Sequence, residues 1–206
     1  MNDCPEIADK VMSPKEVVKR FIKDGSQIAI GGFTVVRNPM AIAYEIVRQG
    51  INDIHLVCHS HGQALDVLIG AGCVKRLEIA YGGNGRYAPT CIRFKKAIQR
   101  GEIQFEDYSN YQMTLRFLAG ALGIPFIPTK SGLGSDLLNY EGFPKELRGQ
   151  GKVASKKFSL MQNPFNEKDD RVVLLPALNP DVALVHAQYV GEDGTVRIKG
   201  LTFADI

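Results

Sequence analysis

Short apolar runs alternate with amphipathic helical patterns along the first 130 residues of the chain. Runs of this length bounded by glycine or proline are typical of buried strands, whereas apolar positions three and four apart indicate helices. The predicted strands are 27–30, 54–58, 77–80, 103–105 and 125–127. The predicted helices are 14–24, 39–50, 65–69, 87–99 and 111–122. Strands separated by helices predict an α/β fold with an open, mostly parallel sheet and helices on both faces.

The alternation of strand and helix patterns is interrupted between residues 130 and 166, where glycine, proline and charged residues are frequent. We interpret 130–166 as a loop-rich excursion within a single domain that covers 1–206. Long segments of this kind in compact domains are usually functional or mobile, so we expect it to be ordered near a site. A plain surface insertion is the alternative. Three further strands are predicted after it, at 171–175, 182–188 and 195–198, with a turn at 192–194.

Charge and composition exclude several classes of protein. The net charge is +3, from 25 basic and 22 acidic residues that are interspersed, so no basic stripe for nucleic acid is present. No apolar stretch approaches the ~20 residues of a membrane span. The first ten residues carry three acids and no apolar core, which argues against a secretory signal and predicts a cytoplasmic protein. The four cysteines show no CxxC pair, so we predict reduced thiols and no metal.

Three turns follow predicted strands, where open parallel sheets bind their ligands. The first is Gly31-Gly32-Phe33-Thr34, in which two glycines allow close backbone approach and can present unpaired amides. A tight turn without a ligand has the same pattern, so both interpretations stay open for this turn.

The second turn contains His59, Ser60 and His61, and the third contains Asn84 and Gly85. Two histidines at i and i+2 on an extended segment share one face, but a third metal ligand is not evident, so a polar lining of a site or an ordinary loop is favoured. Asn84 could donate to a developing oxyanion, or it could simply tolerate a left-handed turn.

Several blocks of sequence, in order along nearly the whole chain, carry a family resemblance. They are Ile30–Thr34 with Arg37 and Pro39, Glu45–Ile51 with Asp53, Leu68–Gly70 with Gly72, Val74-Lys75, Glu106–Ser109, Ala121–Phe126 with Pro128, Asn163–Phe165, His186–Gln188 and Asp193–Ile198. Together they resemble the alpha subunits of class I coenzyme A transferases of the glutaconate type, whose fold is NagB/RpiA-like. Each block alone is weak, whereas the ordered set is specific.

The resemblance implies a transferase that moves coenzyme A between an acyl-CoA and a carboxylic acid. In that family a beta-subunit glutamate attacks the thioester and then carries coenzyme A as an enzyme thioester. The chain would then be active only in a hetero-oligomer with that partner. Its substrate would be a coenzyme A thioester, and no cofactor would be bound permanently.

The resemblance also implies roles for residues of this chain. The turn formed by Gly31, Gly32, Phe33 and Thr34 would lie at the acyl site, and Asn84 with Gly85 would lie beside the reacting carbonyl. His59, Ser60 and His61 would line the acyl pocket, although glutaconate transferases are small and glycine-rich at that turn.

A related branch, the ring-cleaving hydrolases of steroid degradation, resembles the chain as well, particularly at 132–135. In that branch an acid falling near Glu106-Asp107 is thought to assist carbon–carbon cleavage, so both residues are candidate catalytic groups. An acid pair stabilised at a helix N-terminus is the structural alternative. Alpha subunits of the family continue beyond residue 206, so we expect the C-terminal part of the subunit, and hence further strands, to be missing here.

Overall fold

The computed structural model of the chain describes residues 10–166, 168 and 170–200. The N-terminal acids used above and the last residues, 201–206, lie outside this part. The strands are β1 (Gln27–Ile30), β2 (Phe33–Thr34), β3 (Ile54–His61), β4 (Val74–Gly82), β5 (Gln104–Asp107), β6 (Phe126–Thr129), β7 (Ser159–Gln162), β8 (Arg171–Pro176), β9 (Val182–Leu184), β10 (Tyr189–Val190) and β11 (Val196–Arg197). The α-helices are α1 (Pro14–Phe21), α2 (Met40–Arg48), α3 (Gln63–Gly70), α4 (Ile92–Arg100) and α5 (Asn110–Ala121).

The main sheet has the strand order β5–β4–β3–β1–β9, and every pair in it is parallel. The short strand β2 continues beside the end of β3, also in parallel. This arrangement confirms the predicted open, mostly parallel sheet. The carboxyl ends of its strands therefore lie along one edge, which we call the carboxyl edge.

Helices cover both faces of the sheet unequally. Side chains from α1, α2, α3 and α4 form one large core with the sheet, in which Leu56, Leu68 and Leu77 are fully buried. Burial of each such leucine contributes about 1.5–3 kcal/mol before the entropy cost is counted. On the opposite face, Met113 of α5 packs against Ala29 and Val57 of the sheet.

Two helices begin at residues whose side chains satisfy the first free amides. Ser13 and Glu16 form a reciprocal capping box at the start of α1. Ser109 and Gln112 form a second one at α5. The helix α1 ends at Phe21, earlier than predicted, because Ile22 is extended and buried in the core.

The prediction that 125–127 continues the parallel series is wrong. β6 instead belongs to a separate antiparallel sheet with the order β6–β8–β7. The reason is the position of α5, which packs on β3 and β4 with one side and on β6 and β8 with the other. The chain that follows α5 therefore lies on the side of this helix that faces away from the main sheet. There Leu115 shares a small core with Val173 and Leu175.

Element boundaries also differ from the predictions near the carboxyl edge. β3 extends to His61, because Ser60 and His61 pair with β2 on one side and with β4 on the other. α4 begins at Ile92 rather than near residue 87, since Gly85–Tyr87 forms a short 3-10 helix first. The turn predicted at 192–194 is present, but the strand before it is β10, because the predicted strand 182–188 ends as β9 at Leu184.

The excursion 130–166 is ordered and is fixed to the sheet by a buried lysine. Lys157 is 1% exposed, and its ammonium group donates to the Asp107 carboxylate and to the carbonyls of Leu137 and Tyr140. It also lies over the Tyr108 ring, 5.5 Å from the centroid. Burial of a lysine is costly unless its charge is compensated, so these contacts bind the excursion to the end of β5.

Within the described residues, the helices are too short or too polar to cross a membrane.

Candidate active site

The turn after β1 is held in a strained backbone conformation. Gly32 has φ +99°, and Thr34 and Arg37 have φ +50° and +53° although neither is glycine. The amides of Phe33 and Val36 donate to each other's carbonyls, at 2.9 and 2.8 Å. Left-handed conformations of non-glycine residues cost free energy and concentrate at functional sites. Three positive φ angles within six positions indicate that the rest of the structure imposes the shape of this turn.

The backbone amide of Gly32 makes no hydrogen bond to any residue that the structure describes. The neighbours on both sides are anchored, since the Gly31 amide donates to the Leu184 carbonyl at 2.8 Å and the Phe33 amide donates to Val36. Gly32 is buried, and its unpaired amide at the end of a parallel strand is a donor of the kind that stabilises a bound anion or a developing negative charge.

Asn38 joins this turn to the second one, a contact that the sequence pattern does not indicate. Its amide nitrogen donates to the Thr34 carbonyl at 2.9 Å, and its amide oxygen accepts from the Ala64 backbone at 3.1 Å. The residue is buried. Asn38 therefore holds the start of α3 against the turn after β1.

The second turn places its three polar residues in different surroundings. Ser60 is fully buried and donates to the amide oxygen of Asn110 at 3.0 Å, at the start of α5. His59 is half-buried, and its ring lies 6.1 Å from the Phe33 ring. Burial lowers the pKa of His59, which keeps the imidazole neutral near neutral pH.

His61 is fully buried beneath the turn after β1. Its Nε2 lies 3.1 Å from the Gly31 carbonyl oxygen, while its Nδ1 is buried without a hydrogen-bond partner among the described residues. Burial lowers the pKa of His61 from 6.5 to about 4, although the bond to Gly31 opposes that shift. The imidazole is therefore neutral.

The buried histidine predicts a pH dependence of stability. Because the folded pKa lies below the unfolded value of 6.5, the unfolded chain binds the proton more readily as the pH falls from about 6.5 toward 4. The free energy of unfolding should therefore drop by about 2 kcal/mol between about pH 7 and pH 5 from this residue alone. Urea denaturation of the chain and of a His61→Gln variant checks this. A drop of the same size in the variant would contradict the assignment to His61.

The third turn is packed against the second. The Gly83 amide donates to the His61 carbonyl at 2.9 Å, and the Asn84 amide nitrogen lies 3.7 Å from the Cys91 sulfur. The Asn84 amide oxygen is buried against Gly62, where no side chain would fit. The Cys91 thiol donates to the Gly62 carbonyl, and burial raises its pKa to about 12. Asn84 has φ −101°, so it does not adopt the left-handed conformation that the sequence allowed, and its side chain supports the turn through these contacts instead. Its catalytic role stays a prediction.

The two candidate acids at the end of β5 are both paired with cations. Glu106 is 1% exposed and forms a bidentate ion pair with Arg148, with N–O distances of 2.5 and 2.7 Å. It also accepts the amides of Gly142 and Phe143. Asp107 is part-exposed and pairs with Lys157 at 3.1 Å. Both acids therefore attach the excursion to the sheet, and a role in chemistry stays a prediction for each.

Replacing Glu106 by glutamine should lower the free energy of unfolding by about 2 kcal/mol. The glutamine oxygen can still accept hydrogen bonds from the backbone amides. The side chain, however, loses its negative charge and one of the two oxygens that accept from Arg148. Glu102→Gln is the matched control, because its pair with Arg100 is exposed and should contribute less than about 1 kcal/mol. Equal losses in the two variants, measured by urea denaturation, would show that the buried pair is not special.

The carboxyl edge thus brings together the three turns that the sequence singled out. Phe33 and Thr34 of β2 pair with Ser60 and His61 of β3, and these two in turn pair with Tyr81 and Gly82 of β4. Gly85 follows with φ +58° and open space around it. Among the described residues, His, Cys, Asp and Glu form no group of three or more that could hold a metal ion.

The sequence profile of the family described as Coenzyme A transferase matches residues 11–203. The A subunit of glutaconate CoA-transferase from Acidaminococcus fermentans is 39% identical over 198 residues, which cover 96% of this chain and 62% of that protein. The crystal structure of glutaconate coenzyme A-transferase from that organism aligns with a TM-score of 0.89 at 39% identity, over 94% of this chain and 61% of that one.

Two further relatives are named for different activities. The A subunit of 3-oxoadipate CoA-transferase from Pseudomonas knackmussii is 31% identical over 195 residues, covering 93% of this chain and 63% of the relative. The cholesterol ring-cleaving hydrolase IpdA subunit of Rhodococcus jostii is 29% identical over 199 residues, covering 94% and 61%. The chain spans about three fifths of the length of these curated relatives.

Proposed function

Because the chain belongs to the coenzyme A transferase family, we propose that it acts as the alpha subunit of a heteromeric coenzyme A transferase. The enzyme would move coenzyme A between an acyl-CoA and a carboxylic acid. The catalytic glutamate would come from a partner beta subunit, and the assembly would work in the cytoplasm. A coenzyme A thioester is its substrate in this proposal, with no permanently bound cofactor.

The unpaired Gly32 amide at the carboxyl edge is the observation that carries the proposal. Attack of a carboxylate on a thioester carbonyl places negative charge on the carbonyl oxygen. A fixed backbone donor beside that oxygen stabilises the charge without any reorganisation at the moment of reaction. Similarity to the A subunit of glutaconate CoA-transferase supports the same assignment.

The chain would supply one wall of the active site and no nucleophile. Attack by the partner's carboxylate converts the acyl thioester to an acyl anhydride and releases the coenzyme A thiolate. The thiolate then attacks the enzyme carbonyl, which releases the free acid and leaves coenzyme A on the partner as a thioester. Division into two acyl exchanges lowers the barrier of each.

The other predicted site residues lie around the acyl pocket and the reacting carbonyl in this proposal. The half-buried His59 and Phe33, whose rings lie side by side, line the acyl pocket as neutral surfaces. Gly85 leaves space beside the reacting carbonyl. Ser60 and Thr34 are buried and support the pocket from behind.

Hydrolytic cleavage of a cyclic acyl-CoA is the second candidate function. It is favoured by the similarity to one subunit of a cholesterol ring-cleaving hydrolase and by the part-exposed carboxylate of Asp107. A part-exposed carboxylate at the end of β5 could activate a water molecule. Glu106 is less suited to that task, because Arg148 and two amides occupy its oxygens.

Trapping of the covalent intermediate tests the proposal. The chain is co-expressed with its beta subunit, and the complex is incubated with a panel of short, dicarboxylic and cyclic acyl-CoAs. Borohydride then reduces an enzyme thioester to an alcohol, and mass spectrometry locates the change on either polypeptide. The complex incubated without acyl-CoA is the control.

Modification of one glutamate of the partner subunit, dependent on a particular acyl-CoA, is the expected result. Consumption of a cyclic acyl-CoA with no modified residue on either polypeptide would overturn the transferase proposal and favour the hydrolase. In that case, Asp107→Asn should abolish the cleavage.

The Asn84→Ala variant separates the two roles of this residue. We expect kcat to fall by less than about 10-fold and the midpoint of thermal unfolding to fall with it, because the side chain packs between Gly62 and Cys91. Removal of an oxyanion donor would instead cost about 100- to 1000-fold in kcat. Asn139→Ala, on an exposed 3-10 helix end, is the control. A large loss of kcat at unchanged thermal stability would restore Asn84 as the donor.

A further inference from the structure

The carbonyl of Gly31 and the amide of Gly32 belong to one peptide group. That peptide is trans, so its C=O and N–H bonds lie in one plane and point in opposite directions. Whatever fixes the direction of the Gly31 oxygen therefore fixes the direction of the Gly32 amide.

A peptide between two glycines rotates easily unless something holds it. Neither residue has a Cβ, and glycine populates positive and negative φ about equally, so the two residues themselves do not fix the plane of this peptide. The Gly31 amide is bound to Leu184, but that bond belongs to the preceding peptide. The Gly32 amide has no partner among the described residues.

The only side chain of the described residues bound to this peptide is His61, whose Nε2 lies 3.1 Å from the Gly31 oxygen. A carbonyl oxygen can only accept, so Nε2 must carry the proton and Nδ1 the lone pair. Burial, which favours the neutral imidazole, is consistent with this single-proton tautomer. The contact joins residues 30 positions apart in the sequence, and the His61 side chain is fully enclosed.

We propose that His61 is a positioning residue that aims the Gly32 amide into the active site by holding the Gly31 carbonyl from behind. Donation to the carbonyl also polarises the peptide, which strengthens the N–H on its opposite side as a donor. His61 would therefore not line the acyl pocket, as the sequence suggested, but would act on the reacting carbonyl through the peptide. This inference rests on the proposed transferase function.

Two substitutions at position 61 separate donation from shape. His61→Gln places an amide N–H at nearly the distance of Nε2, whereas His61→Leu fills similar space without a donor. In the assembled enzyme we expect His61→Leu to lower kcat by about 10- to 100-fold with KM for acyl-CoA within about 2-fold. We expect His61→Gln to retain kcat within about 5-fold of the parent enzyme.

Hydrogen exchange tests the same inference without turnover. Exchange of the amides of residues 31–34 in the unliganded complex should be about 10-fold faster in His61→Leu than in the parent, and near the parent rate in His61→Gln. Leu68→Ala, on the buried face of α3, controls for a general loss of stability and should not accelerate exchange in this segment selectively.

The outcomes distinguish this inference from the proposed function. Unchanged kcat and exchange in His61→Leu would overturn the positioning role, and equal damage from leucine and glutamine would show that shape, not donation, matters. If the parent complex transfers coenzyme A to no acid, the proposed function fails, and the exchange measurement still decides whether His61 holds the peptide.

Discussion

Replacing Gly32 by alanine should abolish coenzyme A exchange by the assembled enzyme, with a loss of about 100- to 1000-fold in kcat. A Cβ at this position would lie 2.6 Å from the Arg37 carbonyl oxygen and 2.7 Å from that of Val36, and φ is +99°. The backbone of the turn must then move, and the amide donor moves with it. Loss of a fixed donor to a developing oxyanion has effects of this size. Steady-state kinetics of the complex with its best acyl-CoA measures the loss.

Gly50→Ala is the matched control for the backbone cost. Gly50 also has a positive φ, +68°, but a Cβ there meets nothing within 4 Å. It should lower the free energy of unfolding by about 1 kcal/mol and leave kcat unchanged. If Gly32→Ala turned over within about 5-fold of the parent, the amide would not be the donor, and the proposed function would lose its main support.

Replacing Glu78 by glutamine should lower the free energy of unfolding by about 3–5 kcal/mol, measured by urea denaturation near neutral pH. Glu78 is buried on β4, next to the edge strand β5, and lies 2.6 Å from the Arg116 guanidinium and 2.8 Å from the His55 ring. Burial would raise the pKa of Glu78, but Arg116 and then His55 lower it to about 2. Glutamine leaves the buried guanidinium without a counter-charge, which is the costly case.

The double variant Glu78→Leu, Arg116→Met tests this explanation. Removal of both charges should cost less than the single substitution, because no charge is left uncompensated. Glu78 also predicts acid sensitivity: its folded pKa is depressed, so its contribution is present above about pH 4.5 and is lost as the pH falls toward 2. A loss below about 1 kcal/mol in Glu78→Gln would mean that water reaches this part of the core.

The pattern of the chain predicted the main sheet because its strands are buried on both faces. Runs such as Gln27–Ile30, in which every residue is buried, are mostly apolar. They can therefore be identified from the sequence without knowledge of their tertiary contacts. The glycine turns were predictable for the same reason, since each follows such a run directly. Family resemblance then indicated what the turns could bind.

Contacts between distant residues could not be predicted in this way. Asn38 precedes a proline, which indicates a helix boundary, but its bridge from Thr34 to Ala64 depends on how β2 lies beside β3. Glu78 within an apolar strand was a visible anomaly. Its partner Arg116 is one of many arginines until the position of α5 is known.

The same limit explains the second sheet and the histidines. β6 carries an ordinary apolar pattern that fits a parallel or an antiparallel strand equally, and the pairing with β8 is decided by the side of α5 on which the chain emerges. His59 and His61 look alike in sequence. One is half-buried beside an aromatic ring, and the other is enclosed beneath the first turn.

Glu78 and Glu106 lie side by side on neighbouring strands, each facing its own arginine. Without those arginines, two carboxylates would meet as β5 joins β4, and like charges oppose pairing. Arg116 follows Glu106 closely, but Arg148 lies 42 residues after Glu106 in the chain. During synthesis from the N-terminus, β5 is therefore complete well before its own charge partner exists. We expect this edge of the sheet to fold late, because β5 can pair stably with β4 only after the excursion has brought Arg148 to Glu106.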